Sequence, residues 1–190
     1  MFIRRRQEIS KLMKLQRSGE ATMPASKSSI PTNIPSPPKY QYRRHLPHFQ
    51  KSDTPLFITF CTGGPLVLPE EARDVVLNHC LRECGVRVDL FAAVVMPDHV
   101  HLLLAALRDE NGWPFRLVEI MQSLKGATSH RINKLLHRSG PVWEEESFDH
   151  VLRSDESLKE KREYIRQNPV RARLVQKPED YRWLWVNPEL

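Results

Sequence analysis

The stretch VDLFAAVVMPDHVHLLLAAL, Val88 to Leu107, decides the fold. Two apolar runs flank Pro97-Asp98, a pair that predicts two strands joined by a tight turn. The runs are almost continuously apolar rather than alternating, which places both strands inside a sheet covered on both faces. Side chains two apart on a strand share a face, so His99 and His101 project together while Val100 points the other way. Two imidazoles side by side on a rigid strand are a ready pair of metal ligands.

Upstream, LFITFC (Leu56 to Cys61) is a β-branched and aromatic strand ended by Gly63, Gly64 and Pro65. Pro69-Glu70-Glu71 opens a helix, with proline in the first turn and acids against the dipole. Its buried stripe is Ala72, Val75, Val76, His79, Cys80 and Cys84, and Gly85 closes it. Downstream, a second helix is expected from Pro114 to His137, and Gly140-Pro141-Val142-Trp143 reads as a short strand. A segment containing Phe148, Val151 and Leu152 leads to Ser154, an N-cap candidate for a third helix ended by Asn168-Pro169. The order predicts an α+β fold, an antiparallel sheet with helices packed on it, ferredoxin-like in outline.

The 190 residues suit one domain with something left over. Residues 1–39 hold eight basic and two acidic side chains, and that excess equals the formal charge of +6 for the whole chain. Basicity therefore sits in a Ser/Pro-rich segment expected to be a flexible extension, with the domain running from 40 to 190. A mobile cationic arm favours an anionic partner through counterion release. Cys61, Cys80 and Cys84 lack CxxC spacing, which fits a reducing compartment. No apolar run reaches a membrane span and no secretory signal opens the chain, so a cytoplasmic protein is expected.

On the third helix Tyr164 and Asn168 lie one turn apart on one face, beside the buried face of Leu158 and Ile165. Placed opposite His99 and His101, this helix would offer a phenol nucleophile and an oxygen-donating third ligand. A phenol is a weak nucleophile at neutral pH, and a divalent cation on the scissile phosphate would promote its attack. The His-x-His pattern alone is weak, because zinc hydrolases and structural histidine pairs share it.

The blocks VVMPDHVHLLL, GPVWEEESFDHVLRSDESL and YIRQNPVRARLV occur in that order, with RRHLPHFQ before them and PEDYRWL after. Together they resemble the REP-associated tyrosine transposases, single-tyrosine members of the HUH endonucleases, over about residues 40–185. The resemblance implies a ferredoxin-like domain that cuts and joins single-stranded DNA carrying hairpin-forming repeats, acting as a monomer or homodimer. It implies His99, His101 and Asn168 as ligands of Mg²⁺ or Mn²⁺ and Tyr164 as the nucleophile forming a 5′-phosphotyrosine. The family usually has glycine where Arg173 stands, so a positive φ there would strain arginine.

Arg43, Arg44, Lys125 and Arg131 are the candidate DNA contacts, although charges on a helix face are more often simply solvated. His45 and His48 read as phosphate contacts or packing residues and His150 as structural. Trp143 reads as a core aromatic rather than a base-stacking platform, and Trp183 with Trp185 as a clamp on the tail. Two rival functions remain: a hairpin-binding protein that does not cleave, and a zinc hydrolase using His99, His101 and a third histidine.

Overall fold

A computed structural model describes residues 54–152 and 155–189. The expected extension over 1–39, the domain start near Tyr40, Arg43, Arg44, His45, His48 and the Ser154 cap lie outside the described residues. The elements are β1 (Leu56–Cys61), α1 (Glu70–Glu83), β2 (Val88–Val95), β3 (His99–Ala106), α2 (Leu117–Leu135), β4 (Phe148–Val151), α3 (Asp155–Arg171), a 3₁₀ turn (Pro178–Asp180) and β5 (Leu184–Val186). The strands form one antiparallel sheet in the order β4-β1-β3-β2-β5. Since β3 pairs antiparallel with both β1 and β2, those two strands run parallel with β3 inserted between them.

The Val88–Leu107 hairpin is the centre of this α+β domain, as its apolar runs predict. Every residue of β3 after His99 is buried. One face of the sheet, with Ile58, Phe60, Val100 and Leu102, is covered by α1 and α2, which pack against each other. The other face carries Phe57, Thr59, His99 and His101 and lies under α3, anchored by the fully buried Ile165. Truncating such an isoleucine to alanine costs about 2–5 kcal/mol. The same side chain therefore holds the helix down and sets the height of its neighbour Tyr164.

The turn between β2 and β3 is pinned from outside. Met96 N–H donates to the His99 carbonyl at 2.8 Å, Thr62 N–H to the Asp98 carbonyl at 2.8 Å, and Leu68 N–H to the Pro97 carbonyl at 2.7 Å. His99 thus begins β3 on a braced hairpin rather than a loose loop. Among the described residues no helix is long and apolar enough to cross a membrane.

Three expectations are corrected. The segment Gly140–Trp143 is not a strand; Trp143 makes one isolated bridge to Thr62. The segment's backbone pairs only at the very end of β1, through Gly63 N–H to the Val142 carbonyl at 2.8 Å and Glu144 N–H to the Cys61 carbonyl at 3.0 Å. The Trp143 indole turns into the core, edge-on to Phe60 at 4.9 Å, with Nε1 donating to Thr128 Oγ1 at 2.9 Å. The strand beside β1 is FDHV, β4, whose exposed Phe148 and Val151 hid its role. Nor does Asn168-Pro169 end α3, which continues to Arg171. A proline this near a C-terminus removes one helical hydrogen bond. The last turn stays closed by Ala172 N–H to Asn168 O, Arg173 N–H to Val170 O and Leu174 N–H to Pro169 O, each at 2.9 Å. The last two bonds form a Schellman closure, with Arg173 at φ 57°.

Candidate active site

Register brings the site together. Thr59 on β1 stands opposite His101 on β3, and Cys61 opposite His99, so these side chains share the face under α3. The two imidazole centroids are 4.7 Å apart at 69°. Each ring is held by its Nδ1: that of His99 lies 2.7 Å from Asp98 Oδ1, and that of His101 2.7 Å from Thr59 Oγ1. The hydrogen bond from His99 holds the Asp98 carboxyl below its usual range, so this oxygen accepts and His99 Nδ1 carries the proton. Nε2 of His99 is then the nitrogen that a neutral ring leaves open to a ligand. With the Thr59 hydroxyl accepting, the same holds for His101.

His101 is only 6% exposed. Burial, then the neighbouring His99 and Lys161, push its pKa down to about 3. The ring is therefore neutral across the physiological range, the form a metal ligand requires. Phe57 stacks on it at 5.4 Å and 25°, closing one side with an apolar wall.

Tyr164 arrives from α3. Its ring centroid lies 5.4 Å from that of His101 and 5.8 Å from that of Phe57, both at edge-on angles. The half-buried tyrosine sits beside the helix's apolar stripe, as the spacing predicts. Asn168, also half-buried, follows one turn later on the same helix, because α3 runs through Pro169. Its side chain makes no hydrogen bond among the described residues.

The remaining candidates fall elsewhere. Lys125 and Arg131 are on α2, across the sheet from Tyr164. Lys125 Nζ donates to the carbonyls of Glu144, Glu145 and Glu146 at 2.9–3.1 Å, so its amine organises that loop. Arg131 is exposed. His150, on β4 opposite Phe57, is exposed on the site's own face. Trp183 clamps the tail: its Nε1 donates to Asp74 Oδ1 at 2.9 Å under the Arg73 guanidinium, while Trp185 is part of β5.

Residues 70–168 match the family described as "Transposase IS200 like". The chain belongs to this transposase family. A Haemophilus influenzae protein whose name places it among the REP-associated tyrosine transposases is 25% identical over 95 residues. That match covers 47% of this chain and 54% of the relative, so it spans about half the relative's length. A solved structure of a REP-associated tyrosine transposase bound to a REP hairpin superposes with a TM-score of 0.60 at 18% identity, over 76% of this chain and 81% of that one. It shares the fold. A transposase structure from Deinococcus radiodurans aligns more loosely, with a TM-score of 0.40 at 20% identity over 70% of this chain and 95% of that one.

Within the IS200-like match lie α1, the central hairpin, both histidines, Tyr164 and Asn168. Sequence reasoning singled out the histidines, the tyrosine and the asparagine but passed over Thr59, Asp98 and Phe57. Thr59 was findable in principle, since it shares the β1 face of Phe57 and Cys61 and β1 neighbours β3. Spacing alone could not reveal the register that sets it against His101.

Proposed function

We propose that this IS200-like transposase cleaves and rejoins single-stranded DNA with folded hairpins, using Tyr164 as nucleophile beside a divalent cation held by His99 and His101. One observation carries the reading. The only long phenolic side chain of α3 packs directly against an imidazole whose Nδ1 is already engaged and whose partner imidazole is 4.7 Å away.

The residues fit a divalent cation of the Mg²⁺ or Mn²⁺ kind. Two imidazole nitrogens come from β3, Asn168 can add an oxygen, and phosphate oxygens with water complete the shell. No His, Cys, Asp or Glu joins the pair as a third ligand among the described residues, whereas a zinc hydrolase needs three protein ligands. Bound there, the cation would neutralise phosphate charge and polarise phosphorus.

The chain's own residues do the rest. Phe57 and His101 wall the phenol, limiting it to approach along the sheet face. As the Tyr164 Oη–P bond forms, the phenol gives its proton to solvent. As the P–O3′ bond breaks, the 3′ oxygen takes up a proton, leaving a 5′-phosphotyrosine. The exchange conserves the number of phosphoester bonds, so rejoining by the reverse attack needs no nucleotide triphosphate. Single strands suit the site because a scissile phosphate must reach a half-buried phenol.

The test uses a pool of single-stranded DNA hairpins with randomised flanks. Adduct formation is expected with Mn²⁺ or Mg²⁺ and not with EDTA, and His101→Ala should abolish it while hairpin retention stays within about threefold. Hairpin binding with no adduct under any metal would favour a protein that binds without cutting.

A further inference from the structure

α3 carries more than the tyrosine on its working face. Lys161, Tyr164, Asn168 and Arg171 are spaced i, i+3, i+7 and i+10, which lines them up along one stripe of the helix. Lys161 Nζ lies 5.6 Å from the centre of the Tyr164 ring and 4.9 Å from that of Phe57. The Arg171 guanidinium lies 5.2 Å from the Tyr164 ring centre. Two cations therefore flank the phenol, and the charge of Lys161 also reaches His101.

Their freedom sets them apart. On the other flank of α3, Arg162 donates to the Asn187 carbonyl at 3.0 Å, and Arg166 pairs with both Glu163 and Glu179. Among the described residues neither Lys161 nor Arg171 has a carboxylate within ion-pair distance. Cations left unneutralised against the rings of a site are suited to an anion brought by a ligand. A phosphodiester seated at Tyr164 is such an anion, and its charge grows at the non-bridging oxygens as the phenol attacks.

Building on the strand-cleavage reading above, we propose that Lys161 and Arg171 form a phosphate clamp that seats the DNA backbone against Tyr164. Lys161, beside the Tyr164 and Phe57 rings, holds the phosphate under attack; Arg171, at the last turn of α3, holds the neighbouring stretch of the strand.

The test has two independent arms, each on full-length Lys161→Gln, Arg171→Gln and Lys161→Arg proteins checked for unchanged thermal unfolding. In the first arm, a twenty-nucleotide oligo-dT is bound at increasing KCl. Each glutamine variant should lower the slope of log affinity against log salt by about 0.7, the value for one contact to single-stranded phosphate, and Lys161→Arg should restore it. In the second arm, the rate of covalent adduct formation is measured at saturating hairpin DNA. Lys161→Gln should slow it on the order of a hundredfold. Unchanged slopes in both glutamine variants would overturn the clamp even if the wild type cleaves. Lowered slopes with no wild-type adduct would keep the clamp and sink the cleavage reading instead.

Discussion

Replacing Arg173 with glycine should stabilise the protein. Arg173 follows α3 at φ 57°, in the left-handed region, and its N–H closes onto Val170 while Leu174 N–H closes onto Pro169. A side chain with a Cβ pays roughly 1–2 kcal/mol to sit there. Glycine pays nothing sterically but loses about 0.5–1 kcal/mol more in backbone freedom on folding. The balance is a gain of about 0.5–1 kcal/mol, or roughly 1–4 °C in Tm for a protein of this size. Arg173 is exposed, so little packing is lost. Thermal unfolding of wild type, Arg173→Gly and Arg173→Ala separates the effect from loss of the guanidinium, because alanine keeps the Cβ penalty. Glycine no more stable than alanine would refute the strain argument.

Second, Thr59→Val should weaken Mn²⁺ binding about 10–100-fold by calorimetry, because the His101 ring loses its Nδ1 partner. Asp98→Asn keeps an acceptor for His99 and should stay within about threefold of wild type, whereas Asp98→Ala should not. Third, the metal-free protein should lose stability on acidification. The His101 pKa is depressed to about 3 in the fold, against 6.5 when unfolded. Below pH 6.5 the unfolded chain thus binds the proton that the native chain refuses. The loss begins near pH 6.5 and continues down to about pH 3, and it should reach about 2 kcal/mol at pH 5 in urea titrations. His79, also pushed down by burial, adds in the same direction. His101→Gln should flatten the slope, and a slope equal to wild type would contradict the assignment.

The central hairpin was legible because its signal is strong and local. Unbroken apolar runs around Pro97-Asp98 leave no place for β2 and β3 but the sheet interior, and period two then fixes His99 beside His101. The third helix was legible in type but not in length, because Pro169 is a breaker only where the helix still has turns to lose. β4 and β5 were hidden for a different reason. FDHV is a one-sided edge strand with an exposed Phe148, and Leu184–Val186 is too short to show a period. The site's support was least readable. Thr59, Phe57 and Lys161 acquire their roles from register and helix placement, which are long-range outcomes. The i, i+3, i+7, i+10 stripe from Lys161 to Arg171 was on view in the sequence, yet nothing local separates it from a solvated charged face.

The most direct measurement is mass spectrometry of the protein after incubation with single-stranded hairpin DNA and Mn²⁺, with the nucleotide-bearing peptide sequenced. The account predicts a 5′-phosphate ester on Tyr164, absent from Tyr164→Phe. An adduct on any other residue, or turnover that survives Tyr164→Phe, would contradict it.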